Sequence, residues 1–173
     1  YQFKLMNTLT FAIYKKKFMF QNEFYHPDYA PKINILKTTT IPIFFTKKEE
    51  NLGNNFINTI PINKKGLVCL SLRDYQYYKE FKHLEHNITN SAEHTFGNID
   101  DYVDLIKIFI EAGYTVIRMG SKISIKCKFK NKYFIDYATS DYKSDFLDIF
   151  IPSKAKFIID NSTGFGRLGD LLR

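Results

Sequence analysis

The sequence predicts an α/β domain, a Rossmann-like three-layer fold with a mainly parallel sheet. Short apolar runs without helical spacing predict strands, and amphipathic segments that begin at capping residues predict helices between them. Along the chain these elements follow the order β-α-β-β-α-β, which is typical of a sheet with helices packed on it. The predicted domain covers residues 61–173, and residues 1–60 are predicted to be an N-terminal segment or connector.

The first strand is predicted from the run that follows Gly66. Five of the six residues 67–72 are apolar, and Arg73 and Asp74 end the run. Apolar residues at consecutive positions indicate a central, parallel strand that is covered on both faces. Ligands of open α/β sheets bind at the carboxyl ends of the strands, so we expect Arg73 to reach a binding site.

Upstream of this strand, the signals are weaker. Residues 3–20 are aromatic and lysine-rich, which allows either an amphipathic helix or two short strands. Prolines predict a loop over 24–31, and Ile33–Phe45 suits an extended connector or an edge strand. Thr46 with Glu49 has the pattern of a capping box, so a helix is predicted from there to Pro61.

After the first strand, residues 75–97 are predicted to form a loop that overhangs the site, because structureless loops beyond about 12–15 residues are usually functional. Asn98 then caps a helix whose first turn is acidic, and Gly113 closes it in the left-handed conformation. A second strand over 114–117 ends in Arg118-Met119-Gly120. A strand, a helix and a second strand predict a parallel βαβ unit.

Two more strands complete the predicted sheet. Residues 133–136 form the third strand, which ends at Asp136. Ser144 caps a helix that is predicted to run to Pro152, and residues 155–160 form the fourth strand. That strand leads directly into a small turn, Asn161-Ser162-Thr163-Gly164.

Charge and cysteine content limit the class of protein. The formal charge of +7 favours anionic partners, although scattered lysine pairs are typical of an ordinary solvated surface. The chain has four arginines, so an arginine near a strand end suggests bidentate binding of phosphate or carboxylate. Two cysteines without metal-ligand spacing fit a reducing, cytoplasmic compartment. No apolar run reaches the roughly 18 residues of a spanning helix.

Parallel strands bring their carboxyl ends to one edge, so we expect a diphosphate-binding site there, without a metal ion or other cofactor. Alternatives stay open: Arg73 could pair with Asp136, and the Ser162 turn could be a simple helix cap. Zinc is disfavoured because His83 and His86 lack a third ligand. The glycines do not form a dinucleotide fingerprint. The residues predicted to line this site are Arg73, Asp74, Arg118, Gly120, Asp136, Ser162, Thr163 and Gly164.

Residues 45–173 also resemble a family of bacterial surface-polysaccharide glycosyltransferases with a GT-B, fucosyltransferase-like donor domain. The blocks that carry the resemblance are 45–50, 68–74, 113–120, 135–138, 143–150 and 162–164. The resemblance implies that Arg73 binds the donor phosphate and that the Ser162-Thr163-Gly164 turn assists it. Ser71 stands where the family usually has histidine, and His94-Thr95-Phe96-Gly97-Asn98 lacks the family's arginine. The family continues past Arg173 into a last strand, so we expect a fragment or reduced protein.

The function we expect is therefore transfer of a sugar, of hexosyl or fucosyl type, from a nucleotide diphosphate sugar. The acceptor would be a surface glycan or its lipid-linked precursor at the inner face of the membrane, with peripheral membrane association. Arg73 would be catalytic by stabilising the leaving diphosphate, and His94 is the candidate base. The alternative is a non-catalytic module that binds nucleotide or polyanion through its basic face. Neither hypothesis involves a specific nucleic acid.

Overall fold

Four parallel strands form the centre of the fold. The computed structural model describes residues 43–74, 76, 96–123, 125–161 and 163–172. The strands are β1 (Leu67–Ser71), β2 (Thr115–Met119), β3 (Phe134–Ile135) and β4 (Ile158–Asp160), in the sheet order β3-β2-β1-β4. All three pairings are parallel, so the predicted α/β class with a Rossmann-like parallel sheet is confirmed. Predictions for residues 1–42, for most of the loop 75–95, and for His94 and Ser162 fall outside these ranges.

The helices lie on both faces of this sheet. They are α1 (Lys47–Ile57), α2 (Val103–Glu111), α3 (Asp145–Lys154) and α4 (Gly166–Leu172). Helix α2 packs on the face that contains Val68 and Leu70. Helix α3 covers the opposite face, on which Leu67 and Cys69 lie. These three layers position β1 in the middle, and burial raises the pKa of its Cys69 thiol.

Local capping signals explain where the helices begin. The hydroxyl of Thr46 accepts a hydrogen bond from the Glu49 N–H (3.3 Å), and Glu49 accepts one from the Thr46 N–H (2.7 Å). This capping box confirms the predicted start of α1. Asn98 caps a short 3₁₀ turn, Ile99–Tyr102, which leads into α2. Gly113 follows α2 with φ of +96°, as predicted for its left-handed cap.

Helix α1 belongs to the same compact unit as the sheet, although the sequence analysis assigned residues 1–60 to a separate segment. The side chain of Phe56 contacts the ring of Tyr137 at a centroid distance of 5.9 Å. Glu50 on α1 pairs with Lys154 on α3 at 2.8 Å. Gly53 faces Phe150 so closely that an added Cβ would collide with the ring. This close approach lets α1 pack directly on α3.

The strand boundaries differ from the predicted ones. Strand β2 extends to Met119 and not only to Ile117, whereas β3 and β4 are shorter than predicted. Helix α3 continues through Pro152 to Lys154, so it ends directly before residue 155, where the predicted fourth strand began. Pro152 has no N–H to donate to the Asp148 carbonyl, so the helix lacks one backbone hydrogen bond at this point. The extension of β2 has the larger consequence, since it places Arg118 inside a strand.

Candidate functional site

The order of the strands reverses between β1 and β4. From β1 the chain passes through α2 to β2 on one side, and α3 later crosses the other face to reach β4 on the opposite side of β1. Where neighbouring strands diverge in this way, a crevice opens outside their carboxyl ends, and ligands of open α/β sheets bind there. Ser71, the last residue of β1, is paired with Asp160, the last residue of β4. The residues after these two therefore border the candidate site.

Asn161 joins the ends of the two strands. Its side-chain oxygen accepts a hydrogen bond from the Arg73 N–H (2.6 Å), and its own N–H donates to the Ser71 carbonyl (3.3 Å). The Arg73 carbonyl in turn accepts from the Gly97 N–H (3.0 Å). A Cβ on Gly97 would stand 3.1 Å from Asn161 Nδ2, so this approach favours glycine. The backbone of Arg73 is thus fixed at the edge, with its side chain half-buried.

A chain of hydrogen bonds links Ser71, Thr163 and Asp160. The Thr163 N–H donates to both carboxylate oxygens of Asp160 (2.9 and 3.1 Å), and the Thr163 hydroxyl also donates to this carboxylate. Because that hydroxyl proton is engaged, Ser71 Oγ is the donor to Thr163 Oγ1 at 3.1 Å. Ser71 is 3% exposed, whereas Asp160 and Thr163 are partly exposed, so this chain runs from the core to the border of the crevice. It fixes the turn after β4 against the end of β1.

Asp160 also determines which backbone groups this turn offers. The sequence predicted that the turn's N–H groups bind phosphate, but the Thr163 N–H donates to the Asp160 carboxylate. Gly166 leaves room for that carboxylate, since a Cβ there would stand 2.5 Å from Asp160 Oδ2. Gly164 is exposed, and a Cβ on it would meet no atom within 4 Å. In the described part of the turn, a ligand could therefore approach the backbone at Gly164.

Arg118 occupies a different environment. Its side chain is 2% exposed. Its Nη1 donates to the Ile125 carbonyl (2.8 Å) and to both oxygens of Asp136 (3.3 and 3.4 Å). Asp136 accepts a further hydrogen bond from the Cys127 N–H (3.0 Å). The sequence left open a pair between Asp136 and Arg73, but in the structure Asp136 pairs with Arg118.

The predicted binding residues therefore separate into two groups. Arg73, Thr163 and Gly164 gather around the β1/β4 crevice, together with Asp74, whose carboxylate accepts from the Gln76 N–H (2.8 Å). Arg118 and Asp136 form the buried pair on the β2/β3 side, where Gly120 follows β2. Ser162 and His94 lie outside the described residues. The sequence analysis gave no role to Asp160, although its position at the last residue of a predicted strand could have suggested one.

Two further groups, the Tyr102 phenol and the Cys127 thiol, have raised pKa values. Burial raises the pKa of the Tyr102 phenol, and a hydrogen bond with the Asn161 side chain partly opposes this shift. Burial likewise raises the pKa of the Cys127 thiol, which lies beside Asp136. Both groups are therefore kept in their neutral forms, Tyr102 beside the crevice and Cys127 on the β2/β3 side.

Across the described ranges, no three histidine, cysteine or acidic side chains lie close enough to hold a metal ion. In the same ranges, no helix is both long enough and apolar enough to cross a bilayer. Comparisons of the chain with protein-family models, curated proteins and solved structures return no match.

Proposed function

We propose that the β1/β4 crevice binds the diphosphate of a nucleotide sugar, and that the domain is the donor-binding part of a metal-independent glycosyltransferase. One observation carries the proposal. Arg73 follows the central strand β1 at the point where the strand order reverses, and the open turn at Gly164 borders the same crevice. Crevices at this position bind phosphorylated ligands in many α/β folds. The resemblance over residues 45–173 supports the same ligand.

Arg73 is suited to this role because a guanidinium forms two parallel hydrogen bonds with phosphate oxygens. Its backbone is held by Asn161 and Gly97, which limits the backbone entropy that must be lost on binding. Arg118 does not contact the donor in this proposal, because its guanidinium is buried against Asp136. It stabilises the neighbouring segment instead.

In the proposed reaction, an acceptor hydroxyl oxygen bonds to the anomeric carbon while the bond from that carbon to the diphosphate breaks. The nucleoside diphosphate leaves with the bonding electrons, and Arg73 stabilises the negative charge that develops on it. The acceptor proton passes to a general base, for which His94 remains the candidate. The acceptor class is a surface glycan or its lipid-linked precursor at the cytoplasmic face of the membrane.

Calorimetric titration of nucleotide diphosphate sugars into the full chain and two Arg73 variants tests this proposal. Loss of a charged hydrogen-bond donor costs about 1.5–3 kcal/mol, so Arg73→Ala should weaken binding by about 10- to 150-fold. Arg73→Lys keeps the positive charge but cannot form the two parallel hydrogen bonds of a guanidinium. Its affinity should fall between those of the wild type and Arg73→Ala. Lys107→Ala, which removes an exposed positive charge on α2, is the matched control and should bind normally. Unchanged affinity in Arg73→Ala would refute the proposal.

A second candidate is a non-catalytic module that binds nucleotide or polyanion. It is favoured by the burial of Arg118, which removes one of the two guanidiniums that the sequence predicted to bind a diphosphate. A donor domain should prefer a nucleoside diphosphate to the monophosphate at every salt concentration. A general polyanion binder should instead lose affinity steeply with salt and ignore the base.

A further inference from the structure

The connection between β2 and β3 carries an unusual concentration of positive charge. Five lysines and no acidic residue occur between Gly120 and Ile135, in a chain with a formal charge of +7. Four of them alternate with other residues in the stretch Ile125–Tyr133, which we call the lysine segment. The side chains of these four are exposed; they are Lys126, Lys128, Lys130 and Lys132.

The lysine segment is held against the domain by the residues between the lysines. Cys127 is 2% exposed, and its N–H donates to Asp136 (3.0 Å). Arg118 donates to the Ile125 carbonyl, and the ring of Phe129 packs on Phe134 with centroids 5.9 Å apart. Alternating burial indicates an extended chain, in which alternate side chains share a face about 6–7 Å apart. Lys126, Lys128 and Lys130 therefore lie in a row on an anchored surface, and Lys132 follows in a turn closed by a hydrogen bond from the Phe134 N–H to the Asn131 carbonyl (3.0 Å).

A depression adjoins this row. It has a volume of about 420 Å³ and is lined by Phe129, Lys130, Asn131, Lys132, Phe134 and Asp136. The depression is open to solvent and combines lysine ammonium groups with aromatic walls. It lies on the β3 side of the sheet, so it is distinct from the β1/β4 crevice. Its volume suits a single phosphorylated head group, since ligand pockets usually measure about 300–1,000 Å³.

We propose that the lysine segment docks the domain on an acidic phospholipid surface, with one phosphorylated head group in this depression. A row of lysines adds about 1 kcal/mol of attraction per charge close to such a surface. Ile125, which is 47% exposed at one end of the segment, can enter the boundary between head groups and acyl chains. The docking surface does not depend on the nucleotide-sugar proposal, because the two use different edges of the sheet.

The aromatic residues of the segment argue for lipid over nucleic acid. Binding of single strands depends largely on bases that stack on accessible aromatic rings. Here Phe129 packs on Phe134, and Lys132 Nζ lies over the Tyr133 ring at 4.7 Å from its centroid. These contacts and the burial of Phe134, which is 7% exposed, limit the ring surface on which bases could stack. Charge and an exposed isoleucine remain, and both suit a lipid surface.

Sedimentation of the full chain with vesicles tests the docking proposal. Vesicles of phosphatidylcholine alone are compared with vesicles that also contain phosphatidylglycerol. We expect binding to the acidic vesicles, and replacement of all four lysines by glutamine should weaken it on the order of 10²- to 10³-fold, about fivefold per lysine. The matched control replaces four other exposed lysines, Lys47, Lys48, Lys64 and Lys65, by glutamine and should retain most of the binding.

Several results would overturn the proposal. Equal losses in the two quadruple variants would show that net charge alone drives binding. Tighter binding to a single-stranded oligonucleotide than to acidic vesicles would assign the surface to nucleic acid. Displacement from vesicles by millimolar inorganic phosphate would assign the depression to a free anion. Calorimetry with nucleotide sugars on the same variants keeps the two proposals separate, since the lysine variants should bind the donor normally.

Discussion

One arginine lies near the end of β1 and another near the end of β2, but their guanidiniums have different surroundings. Arg73 comes two residues after β1 ends and is half-buried at the β1/β4 crevice. Arg118 is inside β2, paired in register with Leu70, and is 2% exposed. A side chain within a strand projects onto a face of the sheet, whereas one beyond the strand can reach the ligand edge. In register, Arg73 lies three residues beyond the position of Arg118, and this difference separates a structural arginine from a candidate binding arginine.

The largest effect that tests this difference is expected at Arg118. Arg118→Ala leaves the carboxylate of Asp136, whose side chain is 14% exposed, without its partner. Removal of one member of a buried ion pair typically costs about 3–5 kcal/mol. We therefore expect a loss of this size in the free energy of unfolding, measured by denaturant titration.

Two comparisons make the Arg118 result specific. Replacement of both partners, Arg118→Met with Asp136→Leu, removes the unpaired charge and should recover part of the stability, since the Cys127 N–H still loses its acceptor. Arg73→Ala should change the stability by less than about 1 kcal/mol, as is usual outside the core. A loss at Arg73 as large as that at Arg118 would abolish the distinction between the two arginines.

A smaller effect is expected at Asn161, which joins the ends of β1 and β4. Asn161→Ala leaves the Arg73 N–H without its acceptor, at a cost of about 1–3 kcal/mol if the site stays dry. Donor affinity should fall as well, because the backbone of Arg73 is released. Asn161→Asp keeps an oxygen at the same position and should retain the stability better. If Asn161→Ala lowers neither the stability nor the donor affinity, the crevice is not organised by this side chain.

The smallest effect concerns Asp148 on α3. Burial raises the pKa of its carboxyl group, while a hydrogen bond from Tyr137 partly offsets this. The folded protein therefore binds this proton more tightly than the unfolded chain does, so stability falls as the pH rises from the ordinary pKa of 3.8 through the raised value. Asp148→Asn should be more stable than the wild type at neutral pH, and the two should converge in acid. Thermal unfolding across this pH range measures the difference, and a constant offset would contradict it.

Local signals account for the parts of the fold that the sequence predicted. The continuous apolar run of β1 indicated burial on both faces, and all five strand residues are buried. Thr46 and Asn98 marked the helix starts because a cap depends on residues within one turn of it. Gly113 marked a helix end for the same reason. Parallel order followed from the alternation of strands and helices.

Long-range contacts determine the structural features that could not be predicted from the sequence. The length of β2 depends on its pairing with β1, which continues to Met119 opposite Ser71. The interpretation that ended this strand at Ile117 therefore placed Arg118 at the edge with Arg73. The engagement of the Thr163 N–H by Asp160 likewise depends on how the turn after β4 folds back. Such contacts have no signature in residue order alone.

Amide chemical-shift mapping of the full chain during titration with a nucleoside diphosphate tests the central claim most directly. The account predicts that the largest shifts occur at Arg73, Asn161, Thr163 and Gly164, while the amides of Arg118, Cys127 and Asp136 change little. Shifts that centre on the Arg118–Asp136 side, or that spread evenly over exposed lysines, would contradict the assignment of the site to the β1/β4 crevice.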